Sequence, residues 1–461
     1  MKIVVLNGSP KGDISVTMQY INYIQKKFKH HQLKIINISQ GINKIEKDKK
    51  TFEDIINEIK LSDGVIWAFP LYVFTVHSNY QRFIELIFER NVEDAFKGKY
   101  ASVVTTSIHF YDHTAINYMN SICDDLNMNY VDYFSAEMYD LKKEHIRKNL
   151  LQFAQNYFDA IENKVITLKN YSPVEYSLKE YIPEIIHDKI DVSNKKIIIV
   201  TDSLENINLK NMIDKFINSF SQTIELINLQ YIDIKGSCLG CLKCGYNYEC
   251  AYTGKDDFIN FYNSKLKTAD IIVFAGSIKY RHLSSKWKKF LDRGFFNTHT
   301  PSLSGKQIGF IISGALRQIP NLRQILESYV QWQDSNLVGF VTDEYDTNIE
   351  IDEQLYTFSY NLIKLSTVNY TKPATFLGIA GMKIFRDEVW GNLRFPFVAD
   401  HKAYKTLNVY DFPQKNYKSR IMNFIFILMC KFPFIRKEIY SNQIKSSMIV
   451  SLKKIVENTA T

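Results

Sequence analysis

Apolar residues recur along this chain in two alternating rhythms. Short apolar runs rich in β-branched residues read as strands near 2–6, 32–37, 64–69, 99–106 and 130–135. Apolar positions at helical spacing predict amphipathic helices near 14–29, 51–60, 78–90, 112–127 and 144–162. A run that is apolar throughout, such as Ile3-Val4-Val5-Leu6, fits a strand buried on both faces in the middle of a parallel sheet. Five strand–helix units with short connections predict such a sheet with helices on both faces. Right-handed crossovers make it doubly wound.

The rhythm lapses over 165–194, where Pro173 and Pro183 interrupt a stretch without a strong period; it reads as a linker running over the surface. It then restarts at Lys196, with strands near 196–200, 222–228, 270–275, 306–312 and 336–342. Helices are predicted near 207–219, 256–266, 284–293, 320–333 and 350–366. The stretch from Asp63 to Pro70 and that from Asp270 to Ser277 occupy equivalent places, the third strand and its exit, which predicts a whole-domain tandem duplication. The expected organisation is therefore a domain over 1–164, a linker over 165–194, a second domain over 195–370 and a partly helical extension over 371–461. Both domains are expected to be α/β, each a five-stranded doubly wound parallel sheet. In the extension, the apolar run from Ile421 to Cys430 reads as a helix that packs the tail onto the domains and is stopped by Pro433. The alternative is a membrane-surface helix, since Lys418, Arg420, Lys431, Arg436 and Lys437 bracket the run.

Charge and cysteine content narrow the partners. Against 49 acidic residues stand 57 basic ones, and a net charge of +8 on 461 residues favours anionic ligands only weakly. There is no basic tract or motif for nucleic acid, no signal-peptide order at the N-terminus and no apolar run long enough to cross a membrane, so a cytoplasmic protein is expected. Cys123 and Cys430 lie in apolar surroundings and read as core residues. Cys238, Cys241, Cys244 and Cys250 are clustered, which in a cytosolic enzyme points to metal or redox chemistry. His30 and His31 read as an exposed turn, His109 as a loop residue, and Lys47 to Lys50 as a solvated loop.

The first strand breaks into Asn7-Gly8-Ser9-Pro10-Lys11-Gly12, and a helix begins soon after, with Ser15 and Thr17 near its start. Backbone amides at a helix start, small residues and hydroxyls can cradle one phosphate. Pro70-Leu71-Tyr72-Val73 follows the third strand, and Thr105-Thr106-Ser107 ends the fourth. No Gly-x-Gly-x-x-Gly stands here for a pyrophosphate and no Gly-Lys-Ser/Thr for a triphosphate, so FMN fits better than a dinucleotide. These loops resemble those of the NAD(P)H-dependent FMN reductases of the flavodoxin-like fold, over most of 1–162 and more weakly over 195–368. The resemblance implies FMN held at its phosphate by Ser9, Pro10, Lys11, Gly12, Ser15 and Thr17, and at its ring by Pro70, Leu71, Tyr72, Val73, Thr106 and Ser107. It implies NAD(P)H as co-substrate and no acid–base catalytic residues. It also implies an FMN site near a dimer interface, formed by a homodimer or by the two halves of this chain as an intramolecular pseudo-dimer.

The halves depart from that pattern in opposite ways. Where the family's helix after Pro-x-Tyr reads Lys-x-Phe-x-Asp-Arg, the first half has Gln81-Arg82-Phe83-Ile84-Glu85-Leu86, which puts the usual dimer contacts in doubt. The second half keeps Lys288, Asp292 and Arg293 in register. Its first loop has become Thr201-Asp202-Ser203-Leu204-Glu205-Asn206, and two carboxylates there oppose a phosphate, so poor FMN binding is expected. Its cysteine spacing, C-x2-C-x2-C-x5-C, is similar to that of iron–sulfur flavoproteins. A [4Fe–4S] cluster, metal-free thiols and zinc all stay open.

The function expected is an FMN-dependent NAD(P)H oxidoreductase passing electrons to a quinone, a nitro or azo compound, or a redox protein. The alternative is a flavodoxin-like electron carrier or redox-responsive binding module that does not use free NAD(P)H.

Overall fold

In the computed structural model, which describes residues 1–176 and 179–459, the first strand is buried on both sides. Val4 and Leu6 face one apolar core; Ile3 and Val5 face another. That alternation is what a strand covered by helices on both faces requires. The first sheet consists of β1 Lys2–Asn7, β2 Gln32–Asn37, β3 Gly64–Pro70, β4 Tyr100–Thr106 and β5 Asn129–Ala136, all parallel, in the order β2-β1-β3-β4-β5. This is the flavodoxin-like order, which opens a crevice outside the carboxyl ends of β1 and β3. Helices α1 Val16–Lys27 and α6 Glu144–Glu162 cover one face; α2 Ile38–Lys47, α3 Lys49–Lys60, α4 Ser78–Glu89 and α5 Asp112–Asp125 cover the other.

The second sheet repeats the plan with β6 Ile197–Thr201, β7 Glu225–Asn228, β8 Ile271–Lys279, β10 Gln307–Ser313 and β11 Asn336–Thr342, in the order β11-β10-β8-β6-β7. A sixth strand that the sequence reading lacks, β9 His282–Leu283, folds back antiparallel on β8. Around the sheet stand α7 Ile207–Asn218, the short α8 Phe258–Phe261 with a π-helical turn after it, α9 Ser285–Gly294, α10 Pro320–Trp332 and α11 Asn348–Thr367. The repetition reaches single hydrogen bonds. Asp63 and Asp270, each just before its third strand, accept the amides of Lys2 and Lys196 at 2.7 and 2.8 Å.

Further departures from the sequence reading have local causes. Residues 38–47 form α2 through the helical spacing of Ile38, Ile42 and Ile45, and Asp48 is the N-cap of α3, accepting from the amides of Lys50 and Thr51. His31 is buried against Phe28 and Phe158 rather than exposed. The stretch over 165–194 is pinned: Tyr181 is buried and donates to Asp352 at 2.5 Å, and Asp352 also accepts the amides of Glu184 and Ile185.

Two compact units are present, Met1–Ala403 and the chain from Tyr404 onward. The first includes α12 Phe376–Trp390, and the boundary falls within α13 Val398–Thr406. The second holds α14 Tyr417–Met429, α15 Pro433–Glu438 and α16 Ile444–Asn458. The helix expected over 421–430 is present as α14, which has no buried residue, and Cys430 at its end is half-buried rather than core. Among the described residues no helix is long and apolar enough to cross a membrane.

Within the first unit, α4 and α9 pack together and cap each other. The amide of Ser78, the first residue of α4, donates to Asp292 at 2.8 Å; the amide of Ser285, the first residue of α9, donates to Glu85 at 2.5 Å. Glu85 and Asp292 are both eighth in their helices, so the contact is a pseudo-two-fold one of the kind found between identical subunits. Gln81 and Lys288, both fourth, reach across to the carbonyls of Leu283 and Tyr72 at 2.5 and 2.9 Å. Gln81 and Glu85 of the first half thus meet Lys288 and Asp292 of the second in an interface within one chain.

Lys288 and Asp292 are fully buried as an ion pair. Asp292→Ala strands the ammonium and is expected to cost about 3–5 kcal/mol, against about 2 kcal/mol for Glu85→Ala, whose partner Arg82 keeps two other glutamates. Urea unfolding of both variants and of Asp292→Leu with Lys288→Met, which should recover much of the larger loss, checks this. His282, buried beside Tyr118, is held neutral by desolvation, its pKa lowered to about 4. The unfolded chain takes up that proton first as pH falls. Stability should therefore drop by about 3 kcal/mol between the ordinary histidine value and pH 4. His282→Gln should flatten that slope in unfolding measured across this range.

Candidate active site

The loop after β1 is closed by its own short bonds. The Ser9 amide donates to Asn7 Oδ1 at 3.0 Å, and the Lys11 amide to Ser9 Oγ at 3.2 Å. Gly12 sits at φ +61°, where a Cβ would meet the Gln40 side chain at 2.5 Å. Ser15 caps α1 by accepting the Met18 amide, which leaves the amides of Val16 and Thr17 without intrahelical acceptors. Thr17 and Thr106 share a buried hydrogen bond of 2.7 Å that ties this loop to the end of β4. Ser9 and Ser15 serve as acceptors in these bonds, and a hydroxyl so used can still donate. Asp13, the acid of the loop, accepts from the Asn37 amide at 3.1 Å.

After β3 the chain makes a tight reversal. Tyr72 and Thr75 exchange backbone bonds of 2.8 and 2.9 Å around Val73 and Phe74, both at positive φ. Lys279 to His282 repeats this turn in the second half, with Tyr280 and Arg281 at positive φ. The Leu71 amide donates to Thr106, and the Ser107 amide to Ala136, so Pro70–Val73 and Thr106–Ser107 lie side by side at the sheet's carboxyl edge.

The cysteine loop of the second half comes down on this edge. Lys11, Pro70, Leu71, Tyr72 and Val73 share a cavity of about 230 Å³ with Cys238, Cys241, Cys244 and Cys250. Gly240 is packed so closely at φ +61° that a Cβ would lie 2.3 Å from the Tyr72 hydroxyl and 3.2 Å from Lys11 Cε. A second cavity of about 160 Å³ adjoins at Leu71 and Val73 and is lined by Ser107, Phe110, Phe295, His299, Trp332 and Phe385. Ser9, Pro10, Gly12, Ser15, Thr17 and Thr106 line neither cavity.

Arg293 holds the loop in place. Its guanidinium donates to the carbonyl of Gly236, before the cysteines, and to Asp256, after them, at 2.7–3.0 Å. It also lies 4.2 Å from the Tyr252 ring centre. The planar fork suits this two-ended clamp, and its carboxylate partner is depressed below the ordinary range by the charge once desolvation is offset. On the first-half side, buried His77 caps α4 and meets the carbonyl of Cys238 at 2.8 Å through Nε2. Because Nδ1 accepts the Asn79 amide, Nε2 carries the proton. Burial lowers the His77 pKa, and burial also lifts the Cys238 and Cys244 thiols to about 12. Among the described residues, no three His, Cys, Asp or Glu side chains stand as a metal-binding group.

The matching position in the second half is built differently. Asp202, Glu205, Ser277 and Lys279 share a cavity of about 530 Å³ with Ile42, Asn43 and Glu46 of α2. Burial raises the pKa of Asp202, whose carboxylate accepts from the Ser284 hydroxyl. In both halves, then, the segment after the second strand projects onto the other half's loops. In one it is α2, in the other the cysteine loop.

Sequence reading missed His77, His299 and Asp400. His77 had a signal, since it directly precedes a predicted helix. His299 Nδ1 lies 2.7 Å from Asp400 across 101 positions, and nothing in either neighbourhood announces the pair.

If Arg293 is the clamp, Arg293→Leu, which copies Leu86 of the first half, should free the loop. Trypsin or chymotrypsin should then cut between 236 and 256 at least tenfold faster than in the native chain, with Arg293→Lys between the two.

Comparison with known proteins finds matches to about a third of the chain. The profile of the family described as flavodoxin-like fold matches residues 1–159. No curated protein matches the chain. Among solved structures, an NADH:FMN oxidoreductase in its apo form is 16% identical, aligned over 34% of this chain and 87% of its own, with a TM-score of 0.30. The flavoenzyme NAD(P)H:(acceptor) oxidoreductase FerB from Paracoccus denitrificans is 17% identical over 35% of this chain and 97% of its own, at 0.31. An FMN-dependent NADH-azoreductase from Bacillus anthracis in complex with FMN is 15% identical over 35% and 96%, at 0.26.

Proposed function

We propose that the first half binds FMN and that the chain is an NAD(P)H-dependent flavin oxidoreductase whose second half stands in for a second subunit. The observation that carries this reading is the roofed cavity over Pro70–Val73, bounded on one side by the first half's ring loop and on the other by the cysteine loop. The residues fit the cofactor. A planar apolar ring suits Pro70, Leu71, Tyr72 and Val73, with Ser107 in the adjoining space. A single phosphate suits the open amides of Val16 and Thr17, the hydroxyls of Ser9 and Ser15, and the Lys11 ammonium.

Bound there, FMN would supply the hydride and electron-transfer chemistry that links NAD(P)H to a quinone, a nitro or azo compound, or a redox protein. Tyr72 would cover the ring, Gly240 would let the cysteine loop close against Tyr72, and His77 would fix the height of that loop through the Cys238 carbonyl. Lys288 and Asp292 would hold the Tyr72 backbone from below.

A second reading rests on the four cysteines lining the same cavity as Tyr72. On it, the chain is a carrier that exchanges electrons with a protein through that loop and does not oxidise free NAD(P)H. Iron, zinc and sulfide analysis of protein purified without oxygen decides among a [4Fe–4S] cluster, zinc and free thiols.

The expected results are a two-banded flavin spectrum after reconstitution and steady NADH or NADPH oxidation with a quinone acceptor. Lys11→Ala and Tyr72→Ser should each weaken FMN binding about tenfold, read by fluorescence titration. A chain that stays colourless with added FMN overturns the proposal, and a chain that binds FMN without oxidising either nucleotide selects the carrier.

A further inference from the structure

Helix α14 exposes a broad apolar surface, interrupted within Ile421–Met429 by Asn423 alone. Ile421, Phe424, Phe426 and Ile427 are each between 47% and 63% exposed, and Met422, Ile425, Leu428 and Met429 are exposed as well. Phe432 and Phe434 follow at 63% and 82%. In α16 a helical stripe of Ile444, Met448, Leu452 and Ile455 is also exposed. Such surface is far more than scattered single residues, and it needs a cover.

The charges around it say which. Residues 417–458 hold eight lysines and arginines against two glutamates, six of the eight net positive charges of the whole chain. The cations flank the apolar run: Lys418 and Arg420 before it, Lys431, Arg436 and Lys437 after it. Tyr417 and Tyr440, both exposed, lie just outside these flanking cations. Apolar centre, aromatic residues at the edges and flanking cations match the layering of a bilayer interface. At 13 residues α14 is about 20 Å long, too short for a hydrocarbon core of about 30 Å, so it would be embedded in one leaflet rather than cross. A second copy of the chain is disfavoured as the cover, because a two-fold contact would set like charges against each other.

We propose that the unit from Tyr404 onward binds an anionic membrane surface, with α14 inserted in the interface and the flanking lysines and arginines on the headgroups. The full chain should float with vesicles of phosphatidylcholine containing about one-third phosphatidylglycerol, and at least tenfold less with phosphatidylcholine alone. Lys431→Glu with Arg436→Glu and Lys437→Glu should abolish the preference for the anionic lipid. Ile425→Ser with Phe426→Ser should abolish binding to both. These side chains are exposed, and unchanged circular dichroism verifies that the variants fold. Equal binding to both lipids, or none to either, overturns the proposal. So does a dimer seen by sedimentation without lipid that Ile425→Ser with Phe426→Ser dissociates, since the face would then belong to a second copy.

Discussion

Each of two carboxylates in this molecule, Glu85 and Asp292, lies across an interface from the helix whose first amide it accepts. Opening amides of a helix have no partners of their own, and the positive end of the dipole favours an anion. In α4 and α9 that partner comes from the other half of the chain. Neither helix is fully capped alone, so the two sheets are held in one relation, and every loop beyond them is placed by it. The pair has the geometry of a subunit interface but cannot dissociate, because both sides belong to one chain.

Within that frame the halves have diverged at equivalent positions. Where the second half has Arg293, the first has Leu86, eight places after Ser78 as Arg293 is eight after Ser285. The second half uses its arginine to hold the cysteine loop at both ends. In the first half Arg82 does a comparable task from another position, binding Glu46 to keep α2 on α4. Each projection then lies over the loops of the opposite half, and what it brings there differs: thiols and glycine over Tyr72, a helix with Glu46 over Asp202. Pseudo-symmetry thus yields one largely apolar cavity lined by the cysteines and one lined by acidic and basic residues together.

The strands, most helices and the tandem plan were legible because they depend on local periodicity and on runs buried on both faces. Where the reading fell short, a competing signal intervened. Gly41 and the lysines at 47–50 masked the stripe of Ile38, Ile42 and Ile45, and β9 is too short for any period. Cys430 looked like core because hydrophobicity alone does not say what will cover a residue. The loops bearing Ser9, Lys11, Pro70, Tyr72 and the cysteines were likewise visible as strand-end motifs, though their meeting in one cavity was not.

What the amino-acid order determined by itself was the main strands of each sheet, their parallel doubly wound plan and the chemical character of the loops at its edge, since these follow from short-range pattern and chain connectivity. Only the tertiary structure decided that Gly240 touches Tyr72, that His77 reads the carbonyl of Cys238, and that His299 meets Asp400. These contacts join residues about 100 to 170 positions apart across the α4–α9 interface or between late elements of the fold. Their existence depends on the rigid-body relation of packed surfaces, which no local spacing of residues encodes.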